Sequence, residues 1–450
     1  MKIAAGAGYA GDRIEPAVDI IRRAKADYII FECLAERTIA LAQKERQERE
    51  NGGFNPLLDY RMERIIPLLR ENPIKIITNM GAANPQAAAA KVAEIAARHG
   101  LPQLKIAAVV GDNVLADVLA NPNLPTLENG QPLSNIMSKI ISANAYTGAS
   151  GIHSALADGA DIVITGRVAD PVLVSAPLMY EFSRKYDDFD FLGKTVAAGH
   201  LLECAGQVSG GYFADFDSGG KKTVPNLWDL GFPILDFREN GEMILEKLPN
   251  TGGLINARTV KEQILYEVQD PANYYTPDVT ADFSQIRIEE IAENQVKITG
   301  ATGKNPPKNL KVSVGYTDGW HGVAEISYGG RNCIKRAELA AEIIRRRLEL
   351  YAAPQKIRID LLGVNSLYKS HKIAENSDFT NLQEIRLRVA THTETAEQAE
   401  IIGREVEALY TNGPAGGGVR SSITKVVSVV SCFLPRNTVK QAIHWFGGEK

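Results

Sequence analysis

Two short segments, DYIIF (27–31) and DIVIT (161–165), set apolar residues side by side without alternation, and this feature constrains the fold more than any other. A strand of that kind has no face to turn to water, so it belongs in a parallel sheet covered by helices on both sides. Similar runs, KIAAGAG, KIITNM and KIAAVVGDN, are separated by helical patterns such as PAVDIIRRA and QAAAAKVAEIAARHG. The alternation predicts an α/β fold with a parallel-sheet N-terminal domain over residues 1–212.

Beyond that point the pattern changes. Residues 213–259 are rich in Gly, Pro and Asp (FDSGGKKTVPN, KLPNTGG), which predicts a connecting region with little helix. Residues 260–450 carry QIRIEEI, NQVKITGATG, KVSVGYTDGW, GVAEISYGG, KIRIDLLGV and EIRLRVATH, with helices through AELAAEIIRRRLELYAA and AEQAEIIGREVEALYTN. Period-two strands with a few amphipathic helices predict an α+β C-terminal domain. A chain of 450 residues is too long for one ordinary core, which also favours two domains.

Charge and motif content narrow the function by exclusion. A formal charge of −4 offers no field for a polyanion, so neither nucleic acid nor an acidic membrane is an expected partner. No run of about 18 apolar residues can span a bilayer, and Met1 leads directly into a strand-like segment instead of a signal peptide, so a cytoplasmic protein is expected. Cys33, Cys204, Cys333 and Cys432 stand singly, as reduced thiols do, with no C-x-x-C to mark a zinc or iron–sulfur site. G-x-S-x-G and H-E-x-x-H are both absent, which sets aside the hydrolases they mark.

The parallel strands are expected to end in polar loops, Gly8–Arg13, Glu32–Thr38, Asn79–Pro85, Gly111–Asn113 and Gly166–Pro171, lining one crevice at the carboxyl edge of the sheet. In the first, Gly6, Gly8 and Gly11 spell G-x-G-x-x-G, and Glu32 follows 21 positions after Gly11. One reading is a dinucleotide site, and with it an NAD(P)-dependent oxidoreductase. Against it, the Asp12 carboxylate would repel a pyrophosphate, and Pro16 suits the first turn of a helix but not its interior. A helix that starts near Glu15 or Pro16 leaves a glycine-rich loop presenting Asp12 and Arg13.

Other loops carry further candidates. Arg167 and Asp170 follow the most strand-like segment; either Arg167 clamps a substrate carboxylate with Asp170 orienting it, or the two form an internal pair with Asp170 capping the next helix. Glu32 ends a buried strand, where burial raises a carboxyl pKa toward proton-transfer range, while Glu36 and Arg37 either serve the site or pair with each other. Asn79, Asn84 and Asn113 offer hydrogen bonds to a substrate, and Asp112 is a candidate Mg²⁺ ligand; turn chemistry explains Asn84 and Asp112 equally well. His200, Glu203 and Cys204 fall on one face at i, i+3 and i+4, as acid and base, as metal ligands, or as packing; His153 is read as structural. Gly416, Gly417 and Gly418 with Arg420 form either an anion cradle or a flexible connector.

Many of these segments together resemble the acyclic terpene utilisation protein A family: GAGYAGDR, ECLAERT, NMGAANP, VVGDN, NAYTGASGI, GADIVITGRVADPVLVSAPL and AAGHLLECAGQVSGG, then EQILYEVQDPANYYTPDV, NGPAGGG and LPRNTV. The resemblance covers nearly the whole chain and implies a role in bacterial catabolism, with acyl-CoA intermediates in one pathway of the family. It does not name a reaction. The C-terminal ferredoxin-like module of some relatives, marked by R-S-G-D-K-G, is not found in this sequence, so a small ferredoxin-like partner subunit is expected if that module is needed.

The carboxylates, amides and arginine on the strand-end loops predict a lyase of the dehydratase or hydratase kind, acting on a small hydroxy- or oxo-carboxylate or its coenzyme A thioester. Arg167 would grip the carboxylate, Glu32 or His200 take a proton beside the carbonyl, and Glu203 protonate the departing hydroxyl. The alternative is a non-catalytic subunit that binds an acyl-CoA or carboxylate and needs a partner chain. A homo-oligomer is the base-rate expectation for such a protein.

Overall fold

The computed structural model describes residues 1–215, 219–350, 356–367 and 382–448. Its contacts divide the chain into two compact units, Met1–Gly315 with Val429–Lys450, and Tyr316–Ser428.

In the first unit the apolar runs form β1 (Lys2–Ala7), β2 (Tyr28–Phe31), β3 (Lys75–Thr78), β4 (Lys105–Val110), β5 (Ile140–Ala145) and β6 (Ile162–Thr165). Around them lie α1 (Glu15–Arg23), α2 (Glu36–Glu48), α3 (Leu58–Ile65), α4 (Pro85–Arg98), α5 (Leu115–Leu119), α6 (Ser150–Ala157), α7 (Val172–Glu181) and α8 (Phe189–Leu202). Strands β1, β2, β3, β6 and β4 pair parallel in that order. Every residue of β2 and β6 is buried, as unalternating apolar strands require. Helix α1 starts at Glu15 with Pro16 in its first turn, where a missing N–H costs nothing.

The Gly/Pro-rich segment is not a connector. It holds β7 (Pro233–Phe237), β8 (Met243–Lys247) and the start of α9 (Ala257–Leu265). Strand β7 pairs antiparallel with β1, and β8 with β7. Ile234, Leu235, Phe237, Met243 and Leu245 join the same core as the parallel strands. After β9 (Tyr274–Tyr275) and β10 (Thr280–Asp282), β11 (Arg287–Ala292) and β12 (Gln295–Thr299) extend this edge, and β13 (Thr302–Lys304) pairs with β10. The sheet reaches ten strands, in the order β11-β12-β8-β7-β1-β2-β3-β6-β4-β18, once the last strand, β18 (Ala442–Gly447), pairs with β4. The division therefore differs from the one drawn at 212 and 259, because pairing of β7, β8, β12 and β11 with the sheet edge, then of β13 with β10 and β14 (Asn309–Gly329) with β5, carries this unit on to Gly315.

The chain passes between the units within β14 and β17 (Gly417–Pro435), and the second unit also contains α10 (Cys333–Leu350), β15 (Lys356–Leu362), β16 (Glu384–Thr393) and α11 (Ala396–Asn412). Its strand order, β15-β16-β14-β17, with helices after β14 and β16, is the split βαβ arrangement of ferredoxin-like folds. KVSVGYTDGW and GVAEISYGG, expected as separate strands, form the single strand β14. The glycine-rich segment is not a flexible connector: Gly417, Gly418 and Arg420 lie in β17, with Gly418 at φ 67°, and Gly416 packs against Tyr328. Among the described residues no helix is long and apolar enough to cross a membrane.

Candidate functional site

A cavity of about 1000 Å³ opens in the first unit beside the carboxyl ends of β2 and β6. Ala35–Arg37 and Arg167–Pro171 line it from the expected strand-end loops; Gly8–Arg13, Asn79–Pro85 and Gly111–Asn113 do not reach it. The remaining wall comes from Tyr146 just after β5, from Glu267–Pro277, from Pro307 and Asn309–Lys311 at the start of β14, and from Phe433 of β17.

Arg167 is fully buried and most of its guanidinium is already engaged. Nε donates to the Val168 carbonyl at 2.8 Å, Nη2 to the same carbonyl and to Asp170 Oδ1, and Nη1 to the Leu34 carbonyl, while the Tyr146 ring lies 4.6 Å from Cζ. A bidentate clamp needs two parallel N–H groups, and here they are spent. Arg167 therefore fixes the Asp170 carboxylate, whose side chain is 37% exposed on the cavity wall.

Glu32, 8% exposed at the end of β2, accepts hydrogen bonds from the Leu34 N–H at 2.9 Å and from Asn79 Nδ2 at 3.0 Å. Burial, and then the Asp170 charge, push its carboxyl up to about 8, against the opposing pull of Arg167 and both hydrogen bonds. Burial raises Asp170 as well, with Arg167 working in the other direction. Asn79 serves the site indirectly, since its Oδ1 also accepts from the Cys33 N–H at 2.7 Å.

His200 and Glu203 form the expected i, i+3 pair, with Nδ1 2.8 Å from Oε1, at the carboxyl end of α8. They lie outside the cavity lining: the His200 ring is 5.2 Å from that of Tyr274, which does line the wall. Burial disfavours the imidazolium, yet the Glu203 carboxylate prevails and raises His200, while burial raises Glu203. Among the described residues, His200 Nε2 and Glu203 Oε2 are buried without a hydrogen-bond partner. Burial also holds Tyr274 well above the usual phenol range, so its hydroxyl keeps its proton. Cys204 is half-buried, and its thiol is likewise pushed up by burial.

Several candidates turn out to be structural. Asp12 accepts from the Gly8 N–H and the Arg13 N–H, both at 2.8 Å, and so closes its own loop. Arg13 reaches the Trp228 carbonyl at 3.4 Å, away from the cavity. Asn84 caps α4 and ties down the Glu50 and Gly52 carbonyls; Asn113 Oδ1 accepts from the Leu115 N–H at 3.1 Å. Asp112, the Mg²⁺ candidate, is occupied by the Asn144 side-chain amide at 2.8 Å and the Arg167 N–H at 3.0 Å. Among the described residues no group of three or more His, Cys, Asp and Glu side chains is placed to hold a metal ion. His153 is wedged edge-on between Tyr180 and Tyr186.

The opening glycines have a packing explanation. A Cβ on Gly8 would lie 2.4 Å from the Cys204 carbonyl carbon, so the space a pyrophosphate would need is filled by the chain itself. Ala205 adopts φ 42° at this contact, a left-handed conformation held by its surroundings.

Sequence reasoning missed Tyr146, Lys311, Tyr274 and Glu267. Lys311 Nζ lies 2.6 Å from Glu36 Oε1, and the Tyr146 hydroxyl donates to the same oxygen at 2.9 Å. Glu36 is thus shared between Lys311 and Tyr146, and Arg37, exposed on the cavity, has no partner among the described residues. The one signal that could have found Tyr146 was its place just after a strand, in NAYTGASG, beside the loops already singled out.

Compared with known proteins, residues 1–445 match the model of one family, described as acyclic terpene utilisation family protein AtuA. No curated protein and no solved structure matches the chain.

Proposed function

Given that the chain belongs to the acyclic terpene utilisation protein A family, we propose that it is a lyase that adds or removes water on a hydroxy- or oxo-carboxylate or its thioester, in the cavity beside β2 and β6. The observation that carries this reading is the carboxyl pair Glu32 and Asp170: one raised to about 8, the other fixed by Arg167 on the cavity wall. The Asp170 charge helps keep the proton on Glu32, which is buried at the end of β2 just outside the cavity lining, so the two carboxyls supply an acid and a base at the same pH.

In dehydration, Asp170 takes the proton from the carbon next to the carbonyl, and the C–H electron pair becomes the new double bond as the C–O bond to the hydroxyl breaks. The proton already held by the pair goes to the departing hydroxyl, which leaves as water, so the pair ends with the proton number it began with. Tyr274, backed by the His200–Glu203 pair, donates a hydrogen bond to the carbonyl oxygen, where negative charge develops. Arg37 and Lys311 attract the anionic end of the substrate.

Hydration and dehydration of hydroxy-acids and 3-hydroxyacyl thioesters, followed by the absorbance of the conjugated product, test the reading. Asp170→Asn and Glu32→Gln are expected to lower kcat by about 10²- to 10⁴-fold with unchanged circular dichroism. Full turnover by Asp170→Asn would sink the proposal, and ligand binding without turnover in the wild type would favour a carboxylate-binding subunit that works with another chain.

A further inference from the structure

A second cavity of the first unit, about 790 Å³, is open to solvent and lined by Lys221, Lys222, Arg258 and Lys261 together with Phe213, Leu265 and Tyr266. Arg258, Lys261 and Leu265 share the exposed face of α9, while Val260, Gln263 and Ile264 are buried on the opposite face. Among the described residues that line it, four cations meet two carboxylates, Glu262 and Glu267, in a chain whose formal charge is −4, so the basic character is local. Lys222 lies 3.3 Å from Glu262 and 4.8 Å from the Phe213 ring centroid; Lys221 and Lys261 have no carboxylate partner among the described residues. Tyr266 stands edge-on to the exposed Tyr212, with ring centroids 5.6 Å apart.

This groove adjoins the cavity of the carboxyl pair, because Glu267 lines both. Glu267 adopts φ 58°, the left-handed conformation that usually calls for glycine just past a helix, here α9.

We propose that the basic groove binds the phosphate-bearing nucleotide group of the substrate, whose acyl end reaches past Glu267 to Asp170; the lyase thus acts on a thioester of a nucleotide carrier, not on the free acid. Lysines and an arginine answer the phosphates, and the Tyr266 ring offers the base an apolar, stackable face. The groove volume falls within the range of small-molecule sites. The inference rests on the reading of the neighbouring cavity as the acyl site.

Calorimetry of the full chain with ADP and with pyrophosphate tests it without any turnover. ADP is expected to bind at least tenfold more tightly than pyrophosphate, the Lys221→Ala/Lys261→Ala double variant to weaken ADP at least tenfold, and Asp170→Asn to leave ADP binding unchanged. Both lysines are exposed, so the double variant should fold, which circular dichroism verifies. No ADP binding, equal affinity for the two probes, or indifference to the lysine variant would each overturn the proposal. Loss of turnover in Glu32→Gln alongside absent ADP binding would remove the nucleotide group and keep the acid site; ADP binding with no turnover in the wild type would do the reverse.

Discussion

At the scale of single residues, the same side-chain types divide by how fully the fold occupies them. Arg167 resembles a substrate clamp in sequence, but the Val168 and Leu34 carbonyls and Asp170 consume most of its donors; Arg37, in the first turn of α2 at the same cavity, keeps its own. Glu32 is the converse case, a carboxyl with two hydrogen-bond donors that burial still raises to about 8 from its ordinary 4.5. The folded state therefore favours the protonated form, and the cost of ionisation builds up as pH rises from the unfolded value to the folded one. That gap corresponds to a destabilisation on the order of 5 kcal/mol above about pH 8. Glu32→Gln keeps the acceptor for Leu34 and Asn79 without the charge, so urea denaturation should find it more stable than wild type near pH 9, with the advantage shrinking toward pH 5. An advantage that did not vary with pH would show that Glu32 titrates normally.

At the scale of elements, glycine spacing proved to be about packing between loops. Gly8 meets the Cys204–Ala205 backbone, whereas a Cβ on Gly11 would meet only the ring of Tyr9, which is 61% exposed and able to move. Gly8→Ala should cost about 3 kcal/mol or more, and Gly11→Ala less than about 1 kcal/mol, by chemical denaturation. Equal costs would contradict the packing account. The buried strands were legible because apolar residues on both faces admit only one environment; β7 and β8 were not, because each is only five residues long and flanked by Gly and Pro.

At the scale of the molecule, the first and last segments of the chain belong to one sheet. Strand β18 pairs with β4 from Ala442 to Gly447, Ile443 and Phe446 pack on the main core, and Gln441 accepts from the Ser150 hydroxyl at 2.6 Å and the Gly151 N–H at 2.9 Å. Deleting residues 440–450 should destabilise the first unit by about 3 kcal/mol or more and accelerate amide exchange in β4. Unchanged protection of β4 would mean that β18 adds no stability. Nothing local in QAIHWFGG announces that partner, which lies more than 300 residues earlier.

The sequence by itself determined the parallel strands, the start of α1, the polar loops at the strand ends and the His200–Glu203 pair, because burial on both faces and helical spacing are local properties of the chain. Only the tertiary structure decided which loops reach the cavity, that Asp112, Asn84 and Asp12 serve the scaffold, and that Tyr146, Tyr274, Glu267 and Lys311 join Asp170. The reason is physical: hydrogen bonds between segments far apart in the chain determine which polar groups are already satisfied, and only those left over can face a substrate.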